Sequence, residues 1–382
     1  MAILTVLMLL SGCTPLQYSS ESAPNGYTAA YTDKWAYCRL SEQQQRNYRA
    51  VYTAVYEGFA YDETVALGEA GEMYQGVTVP LPESLATEAE IHELYRAFVQ
   101  DHPSFFYLGN AYGYSGNGSY DTLKLTYTMS SEERIAARDK FEKVCEELLA
   151  RLDGTMTDFE KELQLHDALL DRCRYDPEAD VDSYTAYGAL VEGKAVCEGY
   201  ARAMQYLLER AGITATTVKG FSGDTDVAHL WNAVVLNGQL YYLDPTWNDT
   251  DFGITYTYFN VTAAELSSDH RASEETAEFW SATATERNYY RMMGSYLDTV
   301  EQGRIAEHVA ARFAAGEKTV QLRFSPQAWD TARFFLQSTS WFLETVNACL
   351  PKEVPPIEDY RLNCNEKYNT VTICKKPLDS GV

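Results

Sequence analysis

The chain has 382 residues, 46% of them hydrophobic and 13% aromatic, enough to bury a large core in about two or three domains rather than remain disordered. Its 31 basic and 55 acidic residues give a formal net charge of -24. That excess excludes nucleic acid as the main partner, since phosphate binding needs basic patches, and argues against docking on anionic lipid through the folded surface.

The first element is MAILTVLMLLSGC. Ala2 to Leu10 is an apolar run too short to span a bilayer, and it fits the h-region of a secretory signal. No Lys or Arg precedes it, where such a signal usually carries one. The polar stretch TPLQYSSESAPNGYTAAYTD then reads as a flexible tether. Leu-Ser-Gly-Cys resembles the lipobox of bacterial lipoproteins. The resemblance implies cleavage before Cys13, lipidation of its thiol, and a protein held outside the cytoplasm on the bacterial membrane. The expected boundaries are a signal peptide over 1–12 and a tether over 13–38.

From 39 to 130 the pattern is α-β-α-β-β. SEQQQRNYRAVYTAVYEGF is helical, with Ser41 as N-cap and Val51, Val55 and Phe59 at helical spacing. MYQGVTVPL is strand-like and SLATEAEIHELYRAFVQDH helical. SFFYLG and TLKLTYTM read as strands around a turn-rich segment. Residues 131–285 begin with two long amphipathic helices, SSEERIAARDKFEKVCEELLARL and TDFEKELQLHDALLDRCRYD, and continue through a third helix into several strands. Residues 286–382 repeat the small-module order with a helix, a strand, the single long helix PQAWDTARFFLQSTSWFLETVNACL and a hairpin. Helices followed by an antiparallel set of strands indicate α+β, here a central domain flanked by two small α+β modules.

In the third central helix, Cys197, Ala201, Met204, Leu208 and Ala211 recur at spacings of four and three and share one inward face. Gly212 ends that helix as a C′ glycine. Cys197 sits in the first turn, where the helix dipole favours a thiolate, although an inward first-turn cysteine is by itself more often core. The strands that follow alter the reading. In HLWNAVVLNGQLYYLDPTW, Asn237-Gly238 is a strong two-residue hairpin signal. Counting back from it, Trp231 faces Asp244 and His229 faces Thr246, so His229, Trp231 and Asp244 share a face. A carboxylate beside an imidazole fixes its tautomer and stabilises the imidazolium, which in turn stabilises a thiolate.

Other titratable residues read as structural. His166 lies on a helix face with Phe159, Leu163 and Leu170, as a core histidine does. His270 and His308 read as far from Cys197. Asp176 reads as a turn residue before proline, and Asp224 and Asp226 as a solvated loop. With Cys13 lipidated and Cys197 free, six cysteines remain for pairing. Cys364 and Cys374 flank a hairpin turn as the leading pair, with buried free thiols as the alternative. No Cys/His spacing indicates a metal site, and no glycine fingerprint indicates a nucleotide cofactor.

The segments AYGALVEGKAVCEGYARAMQYLLERAGI, HLWNAVVLNGQLYYLDPTWND and YFNVTAAELSSDHR resemble the transglutaminase-like core of bacterial proteins, in the papain-like superfamily. The likeness covers about residues 155–270. It implies a papain-like core with Cys197 as nucleophile, His229 as general acid/base and Asp244 as orienting carboxylate. It supplies no upstream glutamine for the oxyanion, which leaves Tyr187 and Trp231 as oxyanion or substrate candidates. The expected function is an extracytoplasmic, lipid-anchored thiol enzyme attacking an amide carbonyl through a thioester, as a peptidase or amidase. Alternatives are a crosslinking or deamidating transglutaminase, or a non-catalytic surface-binding module. The expected partner is a protein or peptide substrate, associated with the cell wall by location, with no cofactor and no metal.

Overall fold

The computed structural model describes residues 34–60, 73–178, 180–223, 226–279 and 281–375. The signal segment, Cys13 and Asp224 lie outside them. Two compact units emerge, one from residues 1–101 with 107–131, the other from 102–106 with 132–382.

In the first unit, helices α1 (Trp35–Arg39), α2 (Glu42–Glu57) and α3 (Glu88–Asp101) accompany a sheet of β1 (Tyr74–Leu85), β2 (Gly113–Ser115) and β3 (Tyr120–Tyr127), in the order β1-β3-β2. Ser41 caps α2 as expected, its side chain accepting from the Gln44 N–H. The end of the expected tether is helical instead. The Asp101 carboxylate accepts from the backbone N–H groups of Ala36 and Tyr37 and so ties down the start of α1. SFFYLG is not a strand. Pro103 opens a turn there, closed by the Phe105 N–H on the His102 carbonyl, and only Leu108 bridges to Tyr127.

The second unit starts with α4 (Ser131–Leu149), α5 (Asp158–Arg172) and α6 (Cys197–Arg210). Strands β4 (Thr214–Ser222), β5 (Val227–Leu236) and β6 (Gln239–Leu243) follow. A one-turn helix α7 (Pro245–Asn248) leads to β7 (Phe259–Val261) and β8 (His270–Ala272). These five strands form one antiparallel sheet in the order β7-β6-β5-β4-β8, and α6 packs on β4 and β5. The fold class is α+β, as expected. The hairpin register also holds: Leu236 faces Gln239, with Asn237 and Gly238 at φ of 51° and 72°. Gly220 in β4 is required by its neighbours, since a Cβ there would lie 2.5 Å from the Trp231 ring and against the Arg271 carbonyl.

A second sheet closes the unit, built from β9 (Tyr296–Leu297), β10 (Thr319–Phe324), β11 (Tyr360–Asn365) and β12 (Thr370–Lys375) in the order β9-β10-β12-β11. Helices α8 (Gln302–Ala314), α9 (Pro326–Gln337) and α10 (Thr339–Cys349) accompany it. The expected single long helix is broken at Ser338, which leaves helical geometry at φ -80°, ψ 76° while its hydroxyl donates to the Phe334 carbonyl. The break brings the Phe335 and Phe342 rings to 5.5 Å, edge to face, whereas seven residues of continuous helix span about 10 Å. The expected Cys364–Cys374 disulfide is absent, and all seven described cysteines are free. Cys364 faces Val371 and Cys374 faces Arg361, so the two are offset by three residues, about 10 Å of strand, beyond the roughly 7 Å limit of a disulfide.

Among the described residues no helix is long and apolar enough to cross a membrane.

Two stability predictions follow from this packing. Glu162 on α5 is fully buried, with Oε2 accepting from the Asn260 amide at 2.6 Å, and burial pushes its carboxyl up from 4.5 to about 8. Between those values the folded chain holds a proton that the unfolded chain has released, so stability falls as pH rises across that window. Glu162→Gln, which cannot ionise, should flatten this dependence and melt higher than the wild type at alkaline pH in thermal scans across pH. Gly220→Ala should lower stability by about 1–3 kcal/mol through overpacking against Trp231, read from denaturant midpoints.

Candidate active site

Cys197 is placed by the turn before it. Gly193 adopts the left-handed conformation at φ 74°, and Lys194–Ala195 then pairs in parallel with Arg174–Tyr175. Val196 is extended, its N–H donating to the Ser183 carbonyl at 3.0 Å, and Cys197 opens α6. Gly199 admits the neighbouring loop, because a Cβ there would lie 2.5 Å from the Ser183 carbonyl oxygen. Ala201, Met204 and Leu208 are fully buried on the face anticipated from their spacing, whereas Cys197 keeps partial exposure at its upper end. Asn232 of β5 donates its amide to the Ala201 carbonyl at 2.8 Å. That bond locks the strand bearing His229 to the helix bearing Cys197. Asn232 lies within HLWN, where spacing alone assigns it no role.

His229 and Asp244 meet as expected, with Nε2 of the ring 2.6 Å from Oδ2 of the carboxylate. The ladder itself ends at Asn232–Leu243, one pair short of Asp244. Asp244 instead becomes the N-cap of α7, its Oδ1 accepting from the Trp247 N–H at 3.1 Å, with Pro245 at the first helical position. Thr246 is therefore in that helix and does not pair with His229. The Cys197 thiol lies close enough to the His229 ring to favour its charged form. Nε2 is committed to Asp244, which leaves Nδ1 as the nitrogen available to a thiol. Burial opposes charge on His229. The Asp244 charge and hydrogen bond, with a contribution from Cys197, outweigh it and raise the ring to about 10. Burial likewise opposes charge on Asp244, yet His229 and His270 together hold it well below the usual carboxylate range.

His270 corrects the sequence reading. Far from being remote, its Nε2 lies 2.9 Å from the same Asp244 Oδ2, and its Nδ1 lies 2.7 Å from Asp269 Oδ1. No periodicity could have found it, because β8 joins the sheet out of chain order, beside β4. Trp231 is fully buried and stacks beside His229 with centroids 5.9 Å apart. Tyr187 is also buried, stacked on Phe106 at 4.8 Å, and burial followed by Glu192 pushes its hydroxyl up to about 12. His166 is a satisfied core histidine, bonded to Asp167 through Nδ1 and to the Asn248 amide through Nε2. Asp176 accepts from the Glu178 N–H within its turn, and Asp226 pairs with Arg271 at 3.3 Å.

Among the described residues, His229, Asp244 and His270 are the group whose ligand-type atoms converge closely enough to hold a metal. Their spacing does not suit one. Tetrahedral ligands about 2.0–2.1 Å from zinc stand about 3.3 Å apart, whereas these nitrogens lie 2.6 and 2.9 Å from the carboxylate oxygen, at hydrogen-bond distance.

The sequence profile described as the Transglutaminase-like superfamily matches residues 146–245, a span that contains Cys197, His229 and Asp244. The mouse (Mus musculus) Kyphoscoliosis peptidase is 26% identical over 159 residues, covering 35% of this chain and 24% of the mouse protein. The chain thus spans about a quarter of that relative's length. Among solved structures, a TGase is similar at 17% identity over 50% of this chain and 55% of its own, with a TM-score of 0.27. The periplasmic domain of TgpA from Pseudomonas aeruginosa is similar at 18% identity over 36% of this chain and 61% of its own, with a TM-score of 0.22. Residues 146–245 thus match a transglutaminase-like domain.

Proposed function

We propose that the protein is a thiol amidase or peptidase in which Cys197, His229 and Asp244 act as a catalytic triad. The observation that carries the reading is the 2.6 Å pairing of His229 with Asp244 beside the Cys197 thiol at the start of α6. With His229 protonated and Cys197 ionised, Sγ attacks an amide carbonyl and forms a C–S bond. The tetrahedral oxyanion is stabilised by the N–H of Cys197 at the helix start. The His229 imidazolium then gives its proton to the leaving amine as the C–N bond breaks, and a thioester remains. Neutral His229 next removes a proton from water, whose oxygen attacks the thioester. The acid is released and the ion pair is restored. Asp244 keeps the ring oriented and stabilises its cationic form throughout.

The name of the mouse relative, a peptidase, supports water as the second nucleophile. The proposed substrate is a protein or peptide amide outside the cytoplasm. That location rests on the lipobox-like segment ending at Cys13, which would anchor the folded units to the bacterial surface.

Alkylation of Cys197 by iodoacetamide tests the triad without a known substrate. A free cysteine is about 0.3% thiolate at pH 6. Cys197 should react there at least roughly tenfold faster than a free thiol, and His229→Ala should abolish the advantage. The raised His229 keeps its charge below about 10 and loses it as pH rises through that value. In Asp244→Asn only Cys197 still opposes burial, so the ring loses its charge at lower pH and the excess reactivity over a free thiol at acidic to neutral pH falls. A wild-type profile indistinguishable from that of a free thiol and insensitive to His229→Ala would falsify the triad. Incubation with peptide and wall-fragment libraries, read by mass spectrometry against Cys197→Ala, should show addition of water at a cleaved amide. Joined peptides that have lost ammonia would assign transamidation instead.

A further inference from the structure

His270 lies beyond the segment matched by the superfamily profile. It is fully buried between two carboxylates, with Nε2 2.9 Å from Asp244 Oδ2 and Nδ1 2.7 Å from Asp269 Oδ1. A neutral imidazole has one donor and one acceptor nitrogen, while an ionised carboxylate only accepts. Both ring nitrogens must therefore carry protons. Asp269 is itself braced. Tyr258 donates to its Oδ2 at 2.9 Å, and Tyr368, from the turn between β11 and β12, donates to its Oδ1 at 2.8 Å. Trp247 packs on the His270 ring at 4.7 Å and Trp231 on its edge at 5.2 Å, and neither titrates. The titratable groups facing the ring are thus Asp244, Asp269, His229 and Tyr258. Asp244 in turn accepts three bonds, from His229, His270 and the Trp247 N–H.

We infer that His270 is a positioning residue for the site: a doubly protonated ring, anchored on Asp269, that fixes Asp244 Oδ2 against His229. The inference rests on the triad reading above and deepens it. His270 touches neither the thiol nor the carbonyl under attack. It acts by removing the rotational freedom of the carboxylate that holds His229, so its loss lowers the population of the thiolate–imidazolium pair. Opposite charges then alternate from the His229 ring to Asp244 and on to the His270 ring. Each buried ion therefore has an opposite neighbour.

The test follows Cys197 alkylation against pH in the full chain. His270→Phe fills the space but donates nothing, and should slow alkylation at mildly acidic pH roughly tenfold, displacing the profile by about one pH unit. His270→Gln retains an amide donor toward Asp244 and should stay within roughly threefold of the wild type. A residue needed only for packing would tolerate Phe at least as well as Gln, and profiles of both variants superimposing on the wild type overturn the inference while leaving the triad intact. A wild-type profile matching that of a free thiol removes the triad, and the inference with it. Should His270→Phe not fold, nitrogen NMR of the histidine-labelled wild type decides, with His270→Gln assigning the signal. Both ring nitrogens should remain protonated above the ordinary histidine range of about 6.5. An unprotonated Nε2 overturns the inference.

Discussion

Asp244 is a fully buried carboxylate, and everything around it serves to make that tolerable. An ionised group taken out of water costs several kcal/mol unless its lone pairs are met by donors. Three elements supply those donors: β5 through His229, β8 through His270, and α7 through its own first turn. The sequence Asp-Pro-Thr-Trp is therefore more than a motif. The aspartate caps the helix, the proline presets its first turn, and the tryptophan supplies both the capping N–H and a ring that covers the two histidines.

Close backbone approach sets the remaining geometry. Gly199 lets the loop carrying Ser183 lie against the first turn of α6, and Gly220 makes room behind Trp231. Asn232 converts proximity of helix and sheet into a fixed register through one side-chain bond to the Ala201 carbonyl. A thiol at a helix start is common. Here three small local constraints aim it at one imidazole.

Much of this could be read from the chain because it is local. The Asn-Gly turn gives a register that can be counted, and helical spacing gives the inward face of α6. Both hold, as does the meeting of His229 and Asp244. The strict continuation of the ladder does not hold, since proline after Asp244 cannot extend a strand and starts a helix. His270 was out of reach for a different reason. Its strand pairs with β4, across the sheet from the strands nearest to it in sequence, and such pairing leaves no trace in periodicity. The same holds for the break at Ser338, where the amphipathic pattern runs on but tertiary packing favours a bend. The offset of Cys364 and Cys374 depends on a turn register that their spacing does not encode.

The bond from Tyr368 to Asp269 joins residues 99 positions apart, and it ties the hairpin of β11 and β12 to the histidine–carboxylate cluster around Asp244. Synthesis delivers Cys197, His229, Asp244 and His270 well before that hairpin. A nascent chain thus owns every group of the proposed reaction while the last brace of its charge relay is still missing. The hairpin of β11 and β12 thus reaches the proposed site only after its other groups have been made.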